Sequence, residues 1–304
     1  MRKKFLTTIC FILASILSFF GFYFIKNLLR NKKEESGYFA RWLEDAKKGD
    51  IKAQYNVGCC YSDGNGVEKN KDEAFKWWME AASQGNADAQ LLVGACYDEG
   101  EGVEENKEKA FEWYMKAANK EHEIAQFYVG MCYDNGWGVK RNKPKAFEWY
   151  MKSAERNYAN AQFNVGSNYF YGEGVEENKE KAFKWWKRAA EQGFAEAQYN
   201  VGVCYDNGWE VGEDKKKAFD FYMEAAKQGL AEAQYNIGVC YDNEWGVEED
   251  MDEAFNWYMK AAEQGLAKAQ FKVSQCYALG LGTDIDLEKS EMWKAKAIKN
   301  GYKE

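Results

Sequence analysis

The chain has 304 residues, 46% of them apolar, 17% aromatic and 30% charged, with 27 glycines and one proline. A single proline excludes a collagen-like or Pro-rich linker protein, and the aromatic content excludes a disordered chain. The net charge is −8, but residues 1–36 hold seven basic and two acidic residues, which leaves the rest at −13; such a body repels a phosphate backbone, so no nucleic-acid partner is expected.

The first element is an apolar run. Phe5 to Ile25 is 21 residues without a charge, preceded by Arg2, Lys3 and Lys4. A helix of that length, at about 1.5 Å per residue, crosses a hydrocarbon core of about 30 Å. A cleaved signal peptide is the alternative, but its apolar region is normally about 7–15 residues and ends in a small-x-small cut site. This run ends Phe22-Tyr23-Phe24-Ile25 with no such site, so an uncleaved single-pass membrane anchor is the expectation, with a secreted or periplasmic product as the alternative. Lys26, Arg30, Lys32 and Lys33 on the far side balance the first three basic residues, so charge asymmetry leaves the orientation open.

Everything after it is one repeat. Ala-Gln recurs at Ala53, Ala89, Ala125, Ala161, Ala197, Ala233 and Ala269, in steps of 36 without insertion, and Tyr61, Tyr97, Tyr133, Tyr169, Tyr205, Tyr241 and Tyr277 keep the same register. A fixed period of this size means a solenoid. Each unit reads as two helices, in the first copy helix A over 51–62 and helix B over 71–84, with repeats starting near 51, 87, 123, 159, 195, 231 and 267. Asn70, Asn106, Asn142, Asn178, Asp214, Asp250 and Asp286 stand where a side chain can cap helix B. Gly85, Gly193, Gly229, Gly265 and Gly301 stand where it ends. Residues 37–49 match a lone helix B, because Phe39, Trp42, Ala46 and Gly49 precede Phe75, Trp78, Ala82 and Gly85 by one period. In the last unit Ser274 replaces the helix A glycine, Ser290 and Glu291 replace Ala-Phe, and Lys294 replaces an aromatic. These substitutions predict a polar cap whose outer face meets water.

Three segments carry a family resemblance: Val201-Gly202-Val203-Cys204-Tyr205, Gly172-Glu173-Gly174-Val175, and Lys181-Ala182-Phe183-Lys184-Trp185-Trp186-Lys187-Arg188-Ala189-Ala190. They resemble the L-G-x-x-Y, G-x-G-V and K-A-x-x-W-[YW]-x-x-A-A segments of the Sel-one-like repeat (SLR), a branch of the tetratricopeptide-repeat superfamily. The resemblance covers residues 37–304. Glu210 and Glu244 each depart from a loop glycine, and Glu121-His122 from the third turn. It implies an all-α fold: a right-handed α-solenoid of seven 36-residue helix-turn-helix repeats plus the half repeat, with helix A lining the concave side. It also implies an adaptor role; relatives work in protein-degradation complexes of the secretory pathway, in bacterial envelope signalling and in host interaction. A cysteine-rich bacterial branch pairs two cysteines within each unit, but this chain lacks the second one. Neither those staples nor that branch's penicillin-hydrolysing activity is therefore carried over.

A helical wheel divides helix A into two stripes. Ala53, Gln54, Val57, Gly58, Cys60, Tyr61 and their equivalents barely vary and read as core, together with helix B aromatics such as Trp185. The opposite stripe, at i, i+4, i+7 and i+11, varies along the array, only the fifth and sixth units carrying the same four residue types. Its centre is the most apolar part, with Ile124, Tyr128, Met131 and Tyr171, followed by Asn164, Asn200 and Asn236. A central aromatic patch rimmed by acids and amides is how an interface hot spot is built, and these residues are the candidate contacts for a partner protein or peptide; the alternative is drift on a solvated face. Trp137, Trp209 and Trp245 share one loop position, either as an aromatic edge for a partner or folded back over the loop glycines.

No catalytic residues are assigned, because no nucleophile–base–orienter set is visible, so the chain is not expected to be an enzyme. The G-x-G-V loops precede helices but follow no strand, which fails the dinucleotide test, so no cofactor is expected. Six of eight cysteines occupy one repeat position. Packed helices lie about 8–10 Å apart, beyond the roughly 4.4–6.8 Å Cα separation of a disulfide, so these read as buried thiols. The one histidine, His122, reads as an exposed turn residue, and one histidine cannot build a His-rich metal site. The reading is a membrane-anchored protein-interaction scaffold, with a secreted interaction factor as the alternative and an envelope hydrolase a distant third.

Overall fold

A computed structural model describes residues 36–303. The apolar run 5–25 lies outside the described residues, and no helix among those described is long and apolar enough to cross a membrane. Among the described residues there are fifteen helices and no strand. Helix α1 spans 36–47. Seven pairs follow: α2 (Ile51–Asp63) with α3 (Lys71–Ser83), α4 (Ala87–Glu99) with α5 (Lys107–Ala118), α6 (Glu123–Asn135) with α7 (Lys143–Glu155), α8 (Ala159–Tyr171) with α9 (Lys179–Glu191), α10 (Ala195–Asn207) with α11 (Lys215–Lys227), α12 (Ala231–Asp242) with α13 (Met251–Glu263), and α14 (Ala267–Leu279) with α15 (Leu287–Lys299). The even-numbered helices are helix A and the odd-numbered ones helix B. Contacts divide the chain into two compact units, up to Lys140 and from Arg141.

Local chemistry places the helix ends. The seven Asn/Asp residues before helix B each accept a hydrogen bond from the third helical N–H, as Asn70 does from Glu73 at 3.0 Å. Where helix B ends, Gly85, Gly193, Gly229, Gly265 and Gly301 all take positive φ. The same backbone geometry is forced on Glu121 and Asn157, and at the loop-glycine positions on Glu210 and Glu244.

Within the first unit, the edge of Tyr61 meets Phe39 at 5.4 Å, and Tyr97 meets Phe75 at the same distance. The identical geometry places α1 in register as a half repeat. In the second unit the equivalent T-shaped pairs are Phe147–Tyr169, Phe183–Tyr205, Phe219–Tyr241 and Phe255–Tyr277. Each pair joins a helix B to the helix A of the following repeat. Below the rings lie Ala, Val or Ile, and Cys of helix A (Asn168 in α8), all buried.

The glutamine after each helix A alanine is buried and donates to an alanine carbonyl eight residues earlier, as Gln90 Nε2 does to Ala82 O at 3.0 Å. In several repeats its own oxygen accepts from the end of helix B of the same repeat: Gln84 Nε2 reaches Gln54 Oε1 at 2.7 Å, and Gln228 reaches Gln198 at 2.7 Å. This ladder satisfies amides that would otherwise cost about 1–3 kcal/mol each when buried.

One expectation fails here. Trp185 is not the core aromatic: it is half-buried with the Arg188 guanidinium 4.5 Å over its ring, while its neighbour Trp186 is buried. Adjacent positions on a helix point about 100° apart, so only the second ring of the pair faces helix A. In the last repeat the two substituted serines lie inside, while Glu291 is exposed. Ser274 and Ser290 are buried and bonded to each other, Ser290 Oγ donating to Ser274 O at 2.8 Å, while Leu287, Met292 and Ile298 of α15 are exposed.

Candidate functional site

In the first unit, Ile124, Tyr128 and Met131 share one face of α6, and all three are half-buried. The Tyr128 ring stacks on the buried ring of Tyr114 at 4.9 Å with planes 16° apart. Part of this aromatic surface is thus committed to packing. Cys59 and Leu92, on the same stripe of α2 and α4, also lean on the core. A cavity of about 300 Å³ opens beside Cys59, walled by Tyr38, Trp42, Asn56 and Asn65. Burial pushes the Cys59 thiol pKa up.

His122 is not an exposed turn residue. Its side chain is 13% exposed and caps α6, Nδ1 accepting the Ala125 N–H at 3.3 Å while Nε2 lies 3.1 Å from Asp88 Oδ1. Imidazole here does the work that Asp50 and Asn86 do for α2 and α4. No group of metal-ligating side chains occurs among the described residues.

In the second unit, Asn164, Asn200 and Asn236 occupy one position of α8, α10 and α12, and each is half-buried. Tyr171, at the end of α8, is exposed. Asn236 faces the hydroxyls of Tyr199 and Tyr222. The Tyr222 hydroxyl donates to Asp206 at 3.3 Å, and in the next repeat Tyr258 donates to Asp242 at 3.0 Å. Lys272 reaches back from α14 to Asp242 at 3.1 Å. Lys268 Nζ sits 4.2 Å over the Tyr235 ring, and burial lowers its pKa. A cavity of about 170 Å³ lies beside these groups, lined by Met251, Leu279 and Leu281 among others. The stripe is thus an amide row on a tyrosine wall in the second unit and an apolar triplet in the first.

Sequence reasoning missed Tyr199 and Tyr235, which fall between the two stripes of the wheel. The signal was present, because that position is always apolar or aromatic: Tyr55, Leu91, Phe127, Phe163, Tyr199, Tyr235, Phe271. Trp137, Trp209 and Trp245 neither stand free nor fold away. Each is about two-fifths exposed, Trp209 lying 6.1 Å from Phe170 and Trp245 lying under the Lys215 ammonium.

A family model described as the Sel1 repeat matches seven successive stretches: 51–86, 87–122, 124–158, 159–194, 195–230, 231–266 and 267–302. The chain belongs to the Sel1-repeat family. Among solved structures, a Sel1 repeat protein from Oxalobacter formigenes is 36% identical over 80% of this chain and 96% of its own, with a TM-score of 0.70. The c5321 protein, a protective antigen of uropathogenic Escherichia coli with an SLR fold, is 28% identical over 86% of this chain and 73% of its own, at a TM-score of 0.48. The Helicobacter pylori cysteine rich protein B is 22% identical over 42% of this chain and 95% of its own, at a TM-score of 0.37. No curated protein matches. Unlike a staple-linked array, the Sel1 repeats of this chain carry free thiols at Cys59, Cys60, Cys96, Cys132, Cys204, Cys240 and Cys276.

Proposed function

We propose that this Sel1-repeat protein is a protein-interaction scaffold, held at a membrane by residues 5–25, whose variable helix A stripe takes a segment of a partner protein. One observation carries the reading. Packing dictates the core stripe of every helix A, whereas the other stripe varies along the array, only the fifth and sixth repeats agreeing, with its second and third positions half-exposed and its fourth exposed. Half-buried aromatic and amide groups lose little conformational freedom on docking, which favours their use as contacts. Ile124, Tyr128 and Met131 supply apolar contact in the first unit, while Asn164, Asn200 and Asn236, with Tyr171 at the edge, supply amides for a partner backbone in the second. The loop tryptophans Trp137, Trp209 and Trp245 offer a further rim.

Proximity labelling with the intact chain, followed by pull-down of the enriched neighbour, tests the reading. Tyr128→Ala with Met131→Ala, and separately Asn200→Ala with Asn236→Ala, are expected to weaken capture while the fold melts cooperatively. Full capture by both double variants overturns the binding surface. Anchoring is tested apart from it: the mature chain should keep its N-terminal mass and need detergent for extraction, and loss of about 25 residues would instead mark a cleaved signal.

A further inference from the structure

Helix B of the seventh repeat is α15. In the earlier repeats, helix B presents alanine, phenylalanine, an aromatic and two small residues to the next helix A, as Ala74, Phe75, Trp78, Ala81 and Ala82 do to α4. The same positions in α15 are Ser290, Glu291, Lys294, Ala297 and Ile298. Ile298 stands where Ala82, Ala118, Ala190, Ala226 and Ala262 are each at most 3% exposed. An isoleucine there leaves no room for another repeat at the same distance, and Glu291 and Lys294 remove the aromatic filling. The face nevertheless stays apolar at its two ends, with Leu287 66% and Ile298 54% exposed.

Leu287, Glu291, Lys294 and Ile298 are spaced 4, 3 and 4 residues apart, the spacing of a straight seam along one side of a helix. Read backwards, this seam complements itself. Laid antiparallel against a copy, Leu287 meets Ile298, Glu291 meets Lys294, and both pairs recur on the far side of a two-fold axis. Parallel pairing would set Glu291 against Glu291 and Lys294 against Lys294, which like charges oppose. Glu288 lies near one end of α15, and Lys296 and Lys299 near the other, which adds to the antiparallel preference. A two-fold contact of this kind closes on itself and cannot propagate into a filament.

We propose that α15 is a self-association surface, pairing antiparallel with α15 of a second copy through Leu287–Ile298 and Glu291–Lys294. One helix pair covers less than the roughly 1,200–2,000 Å² of a stable interface, so the association is expected in the micromolar range.

The test uses the full chain in nonionic detergent, its mass followed by sedimentation equilibrium across a concentration series. Wild type is expected to dimerise. E291K and K294E should each weaken the dimer at least tenfold, and the double variant E291K/K294E should restore it, because the swapped charges again face each other. Glu291 is exposed and Lys294 half-buried, so equal melting temperatures are required of every variant as a check of the fold. Geometry is read separately: chains carrying Leu287→Cys should cross-link to chains carrying Ile298→Cys. They should not cross-link to themselves, since the paired helices set those two positions about 16 Å apart at 1.5 Å per residue. A monomer at every concentration, a dimer indifferent to either single swap, as pairing through residues 5–25 would give, or equal self-cross-linking overturns the proposal.

Discussion

Gly202 lies so close to the ring of Tyr222 that a Cβ on the glycine would stand 2.6 Å from the tyrosine Cδ1. The same contact joins Gly94 to Tyr114, Gly166 to Trp186 and Gly238 to Tyr258. The exception is instructive: in the last repeat the ring is replaced by Lys294 and the glycine by Ser274, which is buried without a ring against it. Gly202→Ala is therefore expected to destabilise the protein by about 1–3 kcal/mol through overpacking. Helix propensity alone gives the opposite sign, a gain of about 1 kcal/mol. Urea denaturation of the variant beside wild type decides between them.

Glu210 and Glu244 hold φ of 59° and 57° where other loops have glycine. For an L-residue that backbone costs about 1–2 kcal/mol. Glu210→Gly and Glu244→Gly should each raise stability by about 1 kcal/mol, less the entropy that glycine adds to the unfolded chain. A thermal melt that shifts down for both would show that the glutamates hold contacts worth more than the strain.

The glutamine ladder lacks two rungs, at Gln90 and Gln126, whose buried oxygens have no partner. Gln84 bonds Gln54, but the residue 30 positions after Gln90 is Lys120, and the buried Gln90 Oε1 has no partner. Lys120→Gln should supply the rung at Gln90 and stabilise by about 0.5–1.5 kcal/mol, the usual net worth of such a bond. The denaturation midpoint should rise with an unchanged slope.

Burial pushes the thiols of Cys96, Cys204 and Cys276 up to about 11 and those of Cys132 and Cys240 to about 12. The thiolate is the nucleophile, so at pH 8 these five should resist alkylation in the folded chain and react once it is unfolded. Cys59, in the wall of a cavity, should be labelled before them. Peptide mass mapping after a timed iodoacetamide pulse gives the order, and early labelling of Cys204 would contradict the packing described.

What the sequence made legible was what local chemistry and periodicity determine. The 36-residue step, the asparagine caps such as Asn70 and the positive-φ glycines such as Gly85 need only a few neighbouring residues, and each took its expected place. What escaped depended on packing against another helix. Trp185 and Trp186 both belong to an apolar stripe, and only the position of α8 decides which one is buried. His122 becomes a cap because Asp88, 34 residues earlier, lies 3.1 Å from its second ring nitrogen. The candidate contact residues were found as a stripe, but their partial burial was not, because Tyr114 beneath Tyr128 and Tyr199 beside Asn236 come from other helices.

Ile298 in place of a small residue also bears on the history of the gene. An array whose last helix is closed to further stacking cannot lengthen by adding a unit at its end. Any gain must come from duplication inside the array, upstream of α15. The spacing of seven copies without a single inserted or lost residue is what whole-unit duplication leaves behind.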